Sequence, residues 1–291
     1  MTDAFVIAHI ETHLRRRFQI RGCRLERVTV GFSQHKKYIV LHEENPKFFV
    51  RLVPRKSRKR NYVLWKEAAQ SVRVLNKILD VSYIREINSL CVTSEYVFGK
   101  LLSDALEEMN PEDRFSAGRQ FGIDLLKLHQ CSAGFMCRRR TLMNYWLHEL
   151  LAFVCREKYD FQGEGRRMTA RLSYLLFRRP KTVVHGDCSP RNIMYSEDGI
   201  MTLIDAESFT VDDPWGDLAR LLFEPNEHCN EFADGMVHGY FCAEEPDDFR
   251  KVAVSLGWLY THQYLMDKRS RGKDWDKEIL EWASKKCREF M

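Results

Sequence analysis

Apolar residues recur at helical spacing at the start of the chain, where Phe5, Ile7, Ile10, Leu14 and Phe18 mark an amphipathic helix over residues 2–18. The period then shortens. Apolar runs over 25–30, 38–42 and 48–53 read as three short strands, the last two joined around Glu43-Glu44-Asn45-Pro46. A helical pattern covers 61–79, and residues 90–99 read as a strand running into a turn. Beyond it the pattern is mostly helical, over 114–130, 142–158, 165–177, 216–223, 231–241, 246–267 and 275–290, with 209–215 as a loop.

One block interrupts those helices. Apolar pairs Val183-Val184 and Ile193-Met194 flank a polar, Pro-containing loop, and Ser196-Glu197-Asp198-Gly199 forms a hairpin turn into an apolar strand over 200–205. With Asp198 and Gly199 as a two-residue turn, residues whose numbers sum to 397 face each other, and Asn192 and Asp205 are such a pair. Their Cβ atoms would then lie roughly 4.5–5.5 Å apart at the open end of the hairpin. Asp187 sits in the loop just before them. Two hard oxygen donors beside a candidate base suit phosphoryl transfer, in which magnesium takes carboxylate and amide oxygens and a separate Asp accepts the proton of the attacking hydroxyl.

The protein-kinase catalytic loop has Asp, four residues, then Asn, with a metal-binding Asp on the next hairpin; this chain has Asp187, Asn192 and Asp205. Val184-His185-Gly186-Asp187-Cys188-Ser189-Pro190-Arg191-Asn192-Ile193-Met194, with Gly rather than Arg between His and Asp, resembles the aminoglycoside phosphotransferase and choline kinase family of small-molecule kinases. So does Ile204-Asp205-Ala206-Glu207 leading to Asp213-Pro214-Trp215-Gly216-Asp217-Leu218-Ala219. Residues 232–241 resemble a subset of bacterial members. No Asp-Phe-Gly or Ala-Pro-Glu follows, which argues against a protein kinase.

That resemblance implies an α+β, two-lobed protein-kinase-like fold, with a small N-terminal lobe built on an antiparallel sheet and a larger, mostly helical C-terminal lobe. Residues 1–97 would form the nucleotide-binding lobe, and 98–291 the catalytic and acceptor-binding lobe. The cofactors implied are ATP or GTP and Mg2+, and the reaction is transfer of the γ-phosphate to a hydroxyl of a small molecule. Asp187 would be the base, and Asn192 and Asp205 the metal ligands. Residues 31–37 occupy the place of the phosphate-covering turn, where Ser33 would let backbone amides approach the phosphates; a plain hairpin turn is an equal reading. Arg51 takes the position of the phosphate-holding lysine, with Lys47 as the nearest substitute; Glu67 is the natural ion-pair partner of Arg51 there, and a solvated helix-surface Glu is an equal reading. The backbone of Glu95 to Val97 would meet the adenine edge. Asp217 would tether the catalytic loop, and His129, in a helical and apolar setting, reads as a hydrogen-bonded structural histidine. The departures at Arg51 and the phosphate turn keep a second reading open, a catalytically inert nucleotide- or ligand-binding protein on the same fold.

Charge adds a partner. The net charge of +5 hides basic runs at Arg15-Arg16-Arg17 and over 55–60, while residues 197–248 hold a single Lys or Arg, Arg220. The basic runs lack interleaved aromatics, so nucleic acid is not expected. The acidic segment suits a cationic acceptor such as an aminoglycoside or amino alcohol, lined by some of Asp212, Asp213, Glu227, Glu231 and Asp234; a solvated acidic face is at least an equal reading. In 291 residues with 44% hydrophobic content, no apolar run approaches the roughly 18 residues of a membrane span, and no basic-then-apolar leader opens the chain, so a soluble cytoplasmic protein is expected. Nine scattered cysteines, none in Cys-x-x-Cys spacing, read as reduced thiols, and Cys188 as a small loop residue.

Overall fold

The computed structural model describes residues 2–29, 35–54, 59–131, 179–242, 244–270, 281 and 285. The chain divides into two compact units, Met1–Gly99 with Ile204–Glu207, and Lys100–Leu203 with Ser208–Met291.

In the first unit, helix α1 (Asp3–Phe18) starts where the Thr2 hydroxyl accepts from the Phe5 amide at 3.4 Å. Asp3 in its first turn and Arg15, Arg16 and Arg17 in its last complement the helix dipole. Its buried residues are Val6, Ile10 and Leu14, spaced four apart, whereas Phe5 is exposed. They join Val40, Phe48 and Val50 of the sheet in one core. The sheet comprises β1 (Cys23–Val28), β2 (Lys36–His42), β3 (Asn45–Pro54), β4 (Ile78–Ile84) and β5 (Ser89–Glu95), all pairs antiparallel, in the order β1-β2-β3-β5-β4. Helix α2 (Lys59–Ala68) ends well short of residue 79, and β4 occupies the end of the expected helix. The β-branched Val72 and Val74 suit a helix poorly, and β5 supplies the edge on which residues 78–84 pair.

Asp80 on β4 docks α1. It is 2% exposed and accepts from His13 Nε2 at 3.2 Å and from Arg17 Nε at 2.9 Å. Burial alone would raise its pKa, but hydrogen bonds from His13, Ser82 and Arg17 hold it well below the usual carboxylate range. A carboxyl more acidic in the folded state stabilises above its unfolded value of 3.8, and that contribution is lost as pH falls below it. Asp80→Ala should therefore cost about 2 kcal/mol at pH 7. The gap to the wild type, read by urea unfolding, should narrow toward pH 3; a gap that does not narrow contradicts this account.

The second unit opens with β6 (Lys100–Leu101), α3 (Leu102–Glu108) and α4 (Pro111–Gln130). Helix α4 is capped by Asn110, whose side-chain oxygen accepts from the Asp113 amide at 2.8 Å, with Pro111 at its first position. Then come β7 (Thr182–Val184), β8 (Ile193–Tyr195), β9 (Met201–Leu203), β10 (Thr210–Asp212), α5 (Trp215–Leu222), α6 (Asn230–Tyr240) and α7 (Phe249–Ser270). Strands β6, β8 and β9 form one small sheet, and β7 pairs with β10, a strand where a loop was expected. The expected helices over 142–158 and 165–177 lie outside the described residues, and the one over 275–290 is described only at Glu281 and Lys285.

Two glycine pairs lock α4 to α6. A Cβ added at Gly118, Gly122, Gly235 or Gly239 would stand 2.0, 2.1, 2.1 or 2.0 Å from a carbonyl oxygen of the facing helix, those of Phe232, Met236, Phe115 and Arg119 respectively. Backbones approach this closely only where neither helix carries a side chain at the crossing. The lock brings His129, near the end of α4, to the Tyr240 hydroxyl at 2.9 Å.

Among the described residues no helix is long and apolar enough to cross a membrane. The six described cysteines are free thiols.

Candidate active site

The hairpin β8–β9 pairs Ile193 with Leu203, Met194 with Thr202 and Tyr195 with Met201, so facing numbers sum to 396, one less than expected. The Ser196 amide donates to the Ile200 carbonyl, the Ile200 amide to the Ser196 hydroxyl at 3.1 Å, and Gly199 takes a left-handed φ of 76°. The loop is thus three residues with Gly199 last, a common alternative to the two-residue Asp-Gly turn. Asn192 and Asp205 are consequently not cross-strand partners: Asn192 ends a 3-10 turn, Pro190–Asn192, and Asp205 has a φ of 71°. A shift of one residue is enough, because side chains alternate along a strand.

In the second unit the loop carrying Asp187 hangs from Asp217. This buried carboxylate, in the first turn of α5, accepts from the amides of His185 at 2.7 Å and Gly186 at 2.8 Å, and its Oδ2 lies 3.2 Å from His129 Nε2. Burial would raise its pKa, but His129, followed by His185, holds it low, so the anchor stays ionised. Both expected supports, Asp217 and His129, stand in those places.

Asp187 is half exposed. Its Oδ1 takes Arg220 Nη2 at 3.0 Å, and its Oδ2 and backbone carbonyl both accept from Asn192 Nδ2 at 2.9 Å. The amide nitrogen of Asn192 is thereby committed, which leaves Oδ1, a hard acceptor, as its group for a cation. Arg191 pairs with Glu224 at 3.8 Å, and burial raises the Glu224 pKa. Cys188 is wholly buried and its thiol is pushed well above its ordinary value by burial, so it supplies no thiolate.

In the first unit a second cluster gathers around Arg51 on β3, a guanidinium only 8% exposed. Its Nη1 and Nη2 donate to Asp205 Oδ1 and Oδ2 at 2.7 and 3.0 Å, and Nη1 also donates to Glu207 Oε1. Burial opposes the charge on Arg51, but Asp205 outweighs it and raises the pKa further. Glu207 also bonds His35 Nδ1 at 2.6 Å, and its carbonyl accepts from Asn61 Nδ2 at 2.5 Å. Burial and the neighbouring Arg51 lower the pKa of Lys37, the cross-strand partner of Arg51.

These partners correct the sequence reading. Glu67 does not pair with Arg51: α2 buries Tyr62, Trp65 and Ala68, and Glu67, two residues past Trp65, lies about 200° round the helix on its exposed face. Lys37, not Lys47, is the second cation beside Arg51, since Lys47 lies four residues along β3, about 13 Å away. Sequence reasoning placed His35 only within the candidate phosphate turn and Glu207 only within the motif around Asp205, and assigned neither to the surroundings of Arg51. Ser33 lies outside the described residues. At the expected adenine edge, the Glu95 amide donates to Lys77 O and the Tyr96 amide to Lys47 O, while the Val97 amide makes no hydrogen bond among the described residues.

The acidic segment is partly paired. Asp213 takes Arg179 Nε at 2.5 Å, and Asp212 takes Lys181 at 3.1 Å while burial raises its pKa. Glu231 lies 3.5 Å from Arg114, and Asp234 is exposed. Part of the negative charge counted along the sequence is therefore matched inside this unit.

The model of the phosphotransferase enzyme family matches residues 24–253. No curated protein matches the sequence significantly. Among solved structures, a GDP complex of a mutant aminoglycoside 2'-phosphotransferase-IIIa aligns with TM-score 0.70 at 19% identity over 96% of each chain. A choline/ethanolamine kinase family protein from Mesorhizobium loti aligns with TM-score 0.67 at 16% identity, over 98% of this chain and 94% of that one. The gentamicin complex of APH(2")-IIa aligns with TM-score 0.62 at 16% identity, over 96% and 95%. At these identities the likeness is one of fold, and that fold is kinase-like.

Proposed function

This chain belongs to the phosphotransferase enzyme family, and we propose that it is a magnesium-dependent kinase that transfers the γ-phosphoryl group of ATP or GTP to a hydroxyl of a small molecule. The observation that carries the reading is the fixed loop: Asp187 half exposed, the preceding His185 and Gly186 amides held by Asp217, and Asn192 turned so that Oδ1 remains for a cation. The first unit would bind nucleotide, with Arg51 on the phosphates and the Glu95–Val97 stretch at the base, where the Val97 amide is the available donor; Ser33 would belong to the phosphate-covering turn. The second unit would carry catalysis and the acceptor. Asn192 and Asp205, one amide and one carboxylate, would be the magnesium ligands, hard oxygen donors of the kind magnesium takes beside phosphates and water. Magnesium, when bound, neutralises charge on the β- and γ-phosphates.

Asp187 orients the acceptor hydroxyl and takes its proton as the new oxygen–phosphorus bond forms, while the bond from the γ-phosphorus to the β-bridging oxygen breaks and nucleoside diphosphate leaves. Arg220 holds one oxygen of Asp187 and Asn192 the other, so the carboxylate is kept in one orientation. The GDP, gentamicin and choline/ethanolamine kinase named for the relatives in fold support a nucleotide donor and a cationic amino-alcohol or aminoglycoside acceptor. A cationic acceptor would meet some of the acidic groups of the second unit. A cytoplasmic enzyme fits this use of nucleoside triphosphate.

Coupled nucleotide consumption, run with cationic amino alcohols, aminoglycosides and neutral sugars, tests the reading. Consumption that needs magnesium and rises with a cationic acceptor is the expected result. Failure of any nucleotide to bind in the presence of magnesium overturns it; nucleotide binding without transfer to any acceptor leaves the inert binding protein.

A further inference from the structure

We infer that Glu207 is a positioning residue for the nucleotide phosphates, the carboxylate that keeps Arg51 in place once Asp205 turns to the metal. The inference rests on the kinase reading above and assigns to Glu207 the part expected of Glu67.

Arg51 is shared by two carboxylates. Both Asp205 oxygens accept from it, at 2.7 and 3.0 Å, and Nη1 is also held by Glu207. A guanidinium this buried is costly without a counter-charge, and the neighbouring Lys37 adds a like charge. If Asp205 is drawn to a divalent cation, one carboxylate must stay with Arg51. Glu207 already touches Nη1, so Nη2 becomes the arm that turns to a phosphate oxygen.

Glu207 is fixed well enough for that task. Its Oε1 bonds His35 at 2.6 Å, its carbonyl accepts from Asn61 on α2 at 2.5 Å, and its amide lies 3.4 Å from Asp205 Oδ1. One residue thus joins His35 just before β2, helix α2, strand β3 and the segment holding Asp205. Glu67, on the exposed face of α2, shares none of these bonds.

The test is a double-mutant cycle read by magnesium-dependent binding of a non-hydrolysable ATP or GTP analogue, beside KM and kcat where an acceptor is known. Glu207→Gln should weaken nucleotide binding about tenfold, through KM more than kcat, because it removes a charge-assisted bond to Arg51. Arg51→Gln should weaken it too, and the double variant should be no weaker than Arg51→Gln alone. Glu67→Gln should bind as the wild type does. Unchanged binding by Glu207→Gln, or effects of the two substitutions that add fully, would overturn the inference while leaving the kinase reading intact. A wild type that binds no nucleotide sinks the kinase reading instead, and the inference with it. Should Glu207→Gln fail to fold, Glu67→Gln decides: lost nucleotide binding returns the role to α2, and unchanged binding supports Glu207.

Discussion

Asp187→Asn should lower turnover by about 10²–10⁴-fold, the range supplied by a positioned base, while nucleotide affinity changes by less than about threefold. The asymmetry follows from what each atom of Asp187 does. An Asn at this position still accepts from Asn192 Nδ2 through its oxygen, so the loop and the Asn192 amide keep their places. It has lost the carboxylate oxygen that would receive the proton in the proposed reaction. Turnover measured at saturating acceptor, beside magnesium-dependent nucleotide binding by calorimetry, separates the two effects. If affinity and turnover fall together, Asp187 acts on the nucleotide or its metal, and the hydroxyl is activated by another group.

Gly235→Ala should destabilise the protein by about 3 kcal/mol or more, even though helix propensity alone predicts a gain of about 1 kcal/mol. The new Cβ would stand 2.1 Å from the Phe115 carbonyl oxygen, and a backbone atom has no rotamer into which to retreat. Relief requires α4 and α6 to part. That separation would stretch the His129–Tyr240 hydrogen bond and, through His129, disturb Asp217 and the loop it suspends. Urea unfolding at neutral pH reads the stability change, and a sign in favour of the alanine would refute the close crossing. Residual turnover in the folded fraction should fall as well, since the disturbance reaches the support of Asp187.

Both experiments probe features that the amino-acid sequence reveals to different degrees. The spacing of Asp187 and Asn192 is local, and the bonds it creates span only five residues. Such a loop is nearly written in its own chain, as are the Thr2 cap of α1 and the Asn110 cap of α4, because each is closed by atoms three to five positions apart. The hairpin itself was legible from Asp198-Gly199, but its register was not. Asp-Gly fits a two-residue turn and the end of a three-residue one equally, and the Ser196 hydroxyl, bonded to the Ile200 amide, goes with the longer loop.

Partners distant in sequence lie beyond any periodicity. Arg51 meets Asp205 and Glu207 across 154 and 156 positions, and the choice between Glu67 and Glu207 depended on which face α2 buries. Counting charges between 197 and 248 gave an acidic face, whereas folding sets Arg179 and Lys181 against Asp213 and Asp212 and cancels part of it. The four glycines of α4 and α6 were in plain view, yet their meaning came only from the crossing that removes every side chain between two backbones. Sequence alone therefore determined the local bonding of the loop that carries Asp187 and Asn192, since short-range geometry follows from residue type and spacing. Tertiary structure decided register, ion pairing and helix crossing, because each is a competition among segments that only packing brings together.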